Sequence, residues 1–323
     1  MLPILITAYN RANSLKILME SIQSQPHGPI YIHCDGIRSA NDRAALETAY
    51  YAKKLFENGE ICNLHIQDTN LGLMRSIQFA ADWFFSLETF GLIVEDDLIL
   101  HPPVLMEAEK LFQDFKDFKN FETFSISNPL PKKYFFNYAD SYWISNFFVS
   151  CGWATSRENW NRSHKSMSEI DNGLIKSIMT EKFGKGVARN FAKFLREENL
   201  RELNNSRTAS FAWRYSLSQL QDGTKTAILT RNRIGYTGFG LHSTNTSNSR
   251  IHGTKFGHEV DLNFEDWRRP INYQSHKSFD RYFVRDFTPM RSFRITLGIK
   301  TRLRKFFRKF NVSGTRKMKV VWD

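Results

Sequence analysis

The sequence predicts an α/β protein: a Rossmann-like, mixed but mainly parallel central sheet with helices on both faces, followed by a basic C-terminal extension. Three observations predict it. Short apolar runs alternate with helix-period segments through the first hundred residues, the order that builds a parallel sheet with crossover helices. Three of those runs end in polar, ligand-capable residues (Tyr9-Asn10-Arg11, Asp35-Gly36 and Glu95-Asp96-Asp97), where open α/β sheets place their ligands. Finally, 323 residues with 41% apolar content provide ample core for one large or two ordinary domains.

The first apolar run, residues 2–7, reads as a buried strand. A turn at 8–13 follows, and Asn13 or Ser14 caps a helix to about Gln25 with Leu15, Leu18, Met19 and Ile22 on one face. Pro26-His27-Gly28-Pro29 breaks it. Residues 30–34 form the second strand, residues 40–57 a polar helix, and 62–66 a short third strand. Asn70-Leu71-Gly72 precedes a helix over 74–87.

Gly91-Leu92-Ile93-Val94 then runs into Glu95-Asp96-Asp97, and apolar sequence resumes at Leu98. A continuous apolar run of this length fits a strand buried on both faces. Three adjacent carboxylates repel one another, and a divalent cation with oxygen ligands relieves that repulsion; a solvated acidic turn is the alternative. Neither a Walker A loop nor a Gly-x-Gly-x-x-Gly follows the first strand. A phosphate here would therefore be held by a metal and by Arg11 or Arg75.

Beyond the acids, His101-Pro102-Pro103 starts a helix to about Phe115. Residues 121–126 and 142–149 read as strands, with Cys151-Gly152-Trp153-Ala154 after the second. Residues 159–200 are polar and mostly helical, 211–221 amphipathic and 225–229 a strand. Residues 233–244 form a glycine-rich loop able to approach a ligand closely, whereas 250–286 are polar and show no clear period.

Composition excludes several classes. Three cysteines without paired spacing (Cys34, Cys62, Cys151) argue for a reducing compartment and against a disulfide framework or zinc site. The opening residues lack the pattern of a signal peptide, and no stretch reaches the ~20 apolar residues of a membrane span, so a cytoplasmic location is expected. Of the net charge of +12, +10 belongs to residues 291–323, with 11 Lys or Arg against one acid. The nearly neutral remainder speaks against nucleic-acid binding by the body. In the tail, Leu297, Leu303, Phe306, Phe307 and Phe310 interleave with the cations, which suits an anionic membrane surface at the cytoplasmic face of the inner membrane. A solvated basic helix and a nucleic-acid contact are the alternatives for that segment.

Seven pieces occur in order over roughly residues 1–245. They are Pro3-Ile4-Leu5-Ile6-Thr7-Ala8-Tyr9-Asn10-Arg11, Asp35-Gly36-Ile37-Arg38, Asn70-Leu71-Gly72-Leu73, Ala81-Asp82-Trp83-Phe84-Phe85, Ile93-Val94-Glu95-Asp96-Asp97-Leu98, Gly152-Trp153-Ala154-Thr155, and Ile234-Gly235 with 238–242. Together they resemble the nucleotide-diphosphate-sugar transferases of the GT-A fold, in particular bacterial proteins of the hemolysin-related HlpA type. The likeness extends more distantly to inverting N-acetylglucosaminyltransferases.

The resemblance implies a metal-dependent, inverting, hexosyltransferase-like glycosyltransferase. Such an enzyme moves a sugar from a nucleotide-diphosphate donor to a glycan or lipid-linked acceptor in surface polysaccharide or lipooligosaccharide synthesis. Residues 1–100 become the nucleotide-sugar-binding half of one domain, 101–250 its acceptor-binding half, and 251–323 an extension. Arg11 and Asp35 hold the nucleotide, Asp35 by accepting from the base, with Thr7 and Tyr9 at the pocket wall. Asp97 ligates Mn²⁺ or Mg²⁺, with Asp96 and His242 near the ion; Glu95 and Asp96 bond ribose or sugar. Arg75 lies near the diphosphate, and Trp153 lines a sugar.

The chain departs from the family at one point. Where relatives carry a Trp-Asp pair before the last helix, it reads Ala209-Ser210-Phe211-Ala212-Trp213, with no acid. Glu169 or Asp171 are the candidates to replace the base. The alternative is a catalytically degenerate protein that binds nucleotide sugar without turning it over. A sugar nucleotidyltransferase is disfavoured by the missing glycine signature.

Overall fold

The computed structural model describes residues 1–116, 121–130, 138–163, 166–204, 210–237, 260–262, 266–271 and 273–287. The expected alternation is present: β1 (Ile4–Ala8), α1 (Ala12–Gln23), β2 (Ile30–Cys34), α2 (Arg43–Glu57), β3 (Asn63–Ile66), α3 (Leu73–Leu87) and β4 (Phe90–Glu95). There follow β5 (Leu98–Leu100), α4 (Val104–Phe115), β6 (Phe121–Ser125), β7 (Tyr142–Ser145), β8 (Trp153–Ser156) and α5 (Arg157–Ser163). The described chain continues with α6 (Asn172–Phe183), α7 (Lys185–Leu203), α8 (Phe211–Asp222), β9 (Lys225–Leu229), β10 (Ile234–Tyr236) and a last helix, α9 (Lys277–Phe287).

Eight strands form one sheet in the order β3-β2-β1-β4-β8-β6-β9-β7, and β5 pairs with β10 in a small antiparallel ribbon. The first four strands are mutually parallel; β8 runs antiparallel to both its neighbours, β4 and β6. The sheet is therefore α/β and mixed, as expected. After β1 the chain winds outward through β2 and β3, then crosses back to place β4 on β1's other side. That reversal leaves a crevice at the carboxyl ends of β1, β2 and β4.

Strand alternation explains why helices cover both faces. Ile4, Ile6 and Ala8 of β1 join the cluster with Leu15 and Leu18 of α1, Leu55 of α2 and Leu105 of α4. Leu5 joins the opposite cluster with Phe84 of α3, Trp160 of α5 and Tyr215 of α8.

Besides β10, which lies in the stretch read as a glycine-rich loop, three elements differ from the sequence expectation. β7 stops at Ser145 instead of running to 149, because side chains capture the backbone: Ser145 Oγ accepts from Phe147 N at 2.9 Å and Asp280 Oδ1 from Asn146 N at 3.3 Å. The segment expected to lack period contains α9, which buries Phe279, Tyr282, Phe283 and Val284 against Trp143 and Leu217. α1 begins at Ala12 with Arg11 as its N-cap residue and no side-chain cap, so neither Asn13 nor Ser14 caps it.

Candidate functional site

The site starts from strand register. Thr7 lies opposite Glu95 in the β1–β4 pair, and Asp96 N donates to Thr7 O at 3.0 Å. The acid turn therefore opens where β1 ends, and the chain leaving β1 crosses directly over it. Tyr9 N donates to Asp96 Oδ2 at 3.1 Å. Arg11 Nη1 donates to Asp97 Oδ2 at 2.6 Å and stands 3.6 Å from Asp96 Oδ1. Thr7 turns its hydroxyl into the sheet, toward Val94 O at 3.4 Å.

One guanidinium thus faces three carboxylates. Glu95, half-buried, has no hydrogen-bond partner among the described residues; burial and its acidic neighbours Asp97 and Asp96 push its carboxyl up to about 8, against the pull of Arg11. Asp96 is pushed up to about 7, by burial and by Asp97, although Arg11 and the Tyr9 amide oppose this. Asp97 is raised too: burial outweighs its bond to Arg11. The turn holds more negative charge than its own surroundings compensate.

The second wall is the end of β2. Asp35 accepts four hydrogen bonds, from Gly36 N (2.9 Å), Leu71 N (2.8 Å), Asn70 Nδ2 (2.8 Å) and Gly72 N (3.1 Å). It pins the 70–72 loop, and Gly72, at φ +79°, turns that loop into the N-terminus of α3. The glycine is required there because φ in this range is costly for residues with a Cβ. Arg75 lies exposed in the first turn of α3. Arg38 stacks over the Tyr9 ring at 4.9 Å, and Asp42 accepts from Arg38 N at 3.1 Å. Burial and a hydrogen bond to Asp42 push the Tyr9 hydroxyl up to about 12.

The third wall comes from the β5–β10 ribbon. Thr237 N donates to Asp97 O at 2.8 Å, and the Tyr236 hydroxyl sits 3.3 Å from Ser127 Oγ. The Cys151 thiol is pushed up to about 12, by burial and then by Glu95, and it bonds to Tyr236.

Among the described residues, no three of His, Cys, Asp and Glu converge to hold an ion unaided. The donor set still suits one kind of ion. Excess carboxylate charge with few ligands matches a hard divalent cation that brings substrate phosphate oxygens and waters with it.

Thr7, Tyr9, Arg11, Glu95, Asp96 and Asp97 therefore come together, with Asp35 and Arg75 on the adjoining loop and helix. Other expectations fare differently. Trp153 is 2% exposed, sealed among Phe148, Trp160, Phe211 and Tyr215, so its ring offers no face to a sugar. Asp171 is the N-cap of α6, accepting from Gly173 N and Leu174 N. Glu169 accepts from Ser166 N at 2.7 Å. Both stand exposed beside α6. His242 lies outside the described residues, as do 238–240 of the glycine-rich loop and the basic tail.

Sequence reasoning missed Asn70's amide contact, Asp42, Cys151 and Tyr236. Asp42 alone carried a local signal: an aspartate three residues before Ala45, whose N it caps at 3.4 Å.

No family model and no curated protein matches the chain by sequence. Solved structures similar to it include S. aureus TarS 1–349, at 11% identity over 74% of this chain and 61% of that one, TM-score 0.43. GalNAc-T7 with UDP, GalNAc and Mn²⁺ is similar at 10% identity over 73% of this chain and 44% of that one, TM-score 0.44. The apo-form glycosyltransferase GlyE of Streptococcus pneumoniae is similar at 14% identity over 59% and 42%, TM-score 0.28. The chain spans less than two thirds of each of these structures.

Proposed function

We propose that this chain is a metal-dependent glycosyltransferase that takes a sugar from a nucleoside-diphosphate donor to a glycan or lipid-linked acceptor. The observation that carries the reading is the Glu95-Asp96-Asp97 turn at the sheet's switch point, where Asp96 and Asp97 share the guanidinium of Arg11 and Glu95 has no hydrogen-bond partner among the described residues.

In this reading Asp97, with Asp96, holds Mn²⁺ or Mg²⁺. The ion supplies Lewis-acid stabilisation of the charge that develops on the departing nucleoside diphosphate. Arg11 meets the diphosphate as a charge-assisted donor. Asp35 fixes the 70–72 loop and so aims the N-terminus of α3 at the crevice, where backbone N–H groups favour an anion; Arg75 adds a cation on that turn. Glu95 is left to accept from ribose or sugar hydroxyls.

A specific observation favours a second reading, a nucleotide-sugar-binding protein without turnover. Inversion requires a carboxylate to deprotonate the acceptor hydroxyl, and both expected bases serve as local caps.

A panel of nucleotide sugars incubated with Mn²⁺ and glycan acceptors, scored for nucleoside-diphosphate release, tests these readings. Release that depends on acceptor establishes the transferase. Saturable binding without release across the panel establishes the binding protein, and absence of both overturns the site.

A further inference from the structure

α7 carries a surface that the crevice does not use. Its buried face is Ala188, Phe191, Phe194, Leu195 and Glu198, with Phe191 and Phe194 set edge-on to Trp213. At 3.6 residues per turn, Lys185, Arg189, Lys193, Arg196, Leu200 and Leu203 fall within an arc of about 80° on the opposite side. All four cations are exposed, and among the described residues none of them has an ion-pair partner. By contrast Arg201, off this arc, is paired with buried Glu198. Leu200 and Leu203 at the C-terminal end are 58% and 69% exposed. Glu197, exposed, stands at the margin of the stripe.

A solvated helix face has no use for two bare leucines in line with four unpaired cations. We propose that this stripe is a docking surface for an anionic lipid bilayer, the cations meeting headgroup phosphates and the leucines entering the headgroup boundary. A helix lying in the interface needs this pairing of a basic row with apolar side chains reaching the same plane. A polyanion such as RNA would engage the cations and leave the leucines in water, and the rest of the body, with 34 basic and 32 acidic residues in 1–290, adds no wider basic field for it. The stripe is independent of the functional reading of the crevice.

The test is co-sedimentation of the full chain with vesicles of phosphatidylglycerol and phosphatidylcholine in equal parts, against phosphatidylcholine alone. Three proteins are compared: the unaltered chain, K185Q/R189Q/K193Q/R196Q, and L200S/L203S. All six positions are exposed, so circular dichroism should stay unchanged. The unaltered chain is expected to bind only the anionic vesicles. The four-cation variant is expected to bind at least about tenfold more weakly, since basic side chains near an anionic lipid surface supply the attraction that holds the helix there. The leucine variant is expected to lose several-fold while keeping its affinity for heparin. Equal vesicle binding by the four-cation variant overturns the proposal by assigning any membrane contact to another segment. Unchanged vesicle binding by the leucine variant, with heparin affinity lost in the four-cation variant, overturns it in favour of a polyanion surface.

Discussion

Glu95 and Glu122 stand on β4 and β6, strands that both pair with β8, and the fold treats them in opposite ways. Glu122 is 1% exposed and fully provided for: Arg162 Nη2 donates to it at 2.7 Å and the Tyr215 hydroxyl at 3.3 Å. Asp280 likewise accepts from Ser145 Oγ at 2.7 Å and from the Asn146 backbone and amide, and Asp114 accepts from Tyr142 and Trp267. Glu95 has none of this, and its two acidic neighbours share one arginine. The buried carboxylates of α4, β6 and α9 are matched to donors, while those at the end of β4 are left in deficit. A fold able to satisfy acids elsewhere and not here points to a ligand that completes the charge balance.

Removing a matched acid should have the largest effect. Glu122→Ala strands the buried Tyr215 hydroxyl and frees one end of the solvent-exposed Arg162, and should cost about 2–3 kcal/mol in urea unfolding, since it removes a charge-assisted bond and leaves a buried donor unpaired. Nucleoside-diphosphate affinity should not change. A cost near zero would remove the contrast drawn above.

The unmatched acid should respond with the opposite sign. Glu95→Gln should stabilise the ligand-free protein by about 1–2 kcal/mol at pH 8. The sign follows from the carboxyl's shift: because its folded value is raised to about 8, the folded state holds the proton that the unfolded state has released. Glu95's contribution to wild-type stability should therefore fall as pH rises from about 4.5 through 8, and the variant should lose that share of the slope while keeping the share of Asp96, which is raised as well. A destabilised Glu95→Gln at pH 8 would show that the acid is satisfied after all.

His33 gives a smaller effect on the acid side. It is fully buried beneath a stacked His65, 5.4 Å between rings, and burial lowers it to about 3. The unfolded chain takes up a proton that the folded one refuses, so His33 should remove about 1 kcal/mol of stability between pH 6.5 and 5, against the opposite slope of the acid turn. His33→Phe should flatten that fall; an unchanged slope would place the acid sensitivity elsewhere.

The smallest change separates capping from catalysis. Asp171→Ala should cost about 0.5–1 kcal/mol as a lost N-cap. Transferase turnover, once assayable, should fall no further than that loss accounts for. A hundredfold drop in kcat with the fold intact would restore Asp171 as the acceptor's base.

Much of the parallel half was legible because its signals are local. β2 and β9 match the expected bounds, and α3 starts within one residue of them, since a short apolar run or an amphipathic face is written in consecutive residues. The candidate acids were legible for the same reason. What was not legible depends on distant partners. α9 is pinned by Asp280 to Ser145 and Asn146, more than 130 residues away, and its charged neighbours hide its period. β10 was read as loop, and only pairing with β5 makes it a strand. Trp153 has the right chemistry for stacking on a sugar, but Phe148, Phe211 and Tyr215 close over it. Asp35 sits where expected, but its occupation by the 70–72 loop could not be read from residue types.

The central claim is that the unmatched charge at the end of β4 is a binding site for a cation-bound nucleoside diphosphate. Calorimetric titration of UDP and GDP into the full chain, with and without Mn²⁺, compared between wild type and Asp97→Asn, tests it most directly. The account predicts saturable binding of one nucleotide that requires the cation and is lost in Asp97→Asn. Cation-dependent binding that survives Asp97→Asn unchanged would contradict it.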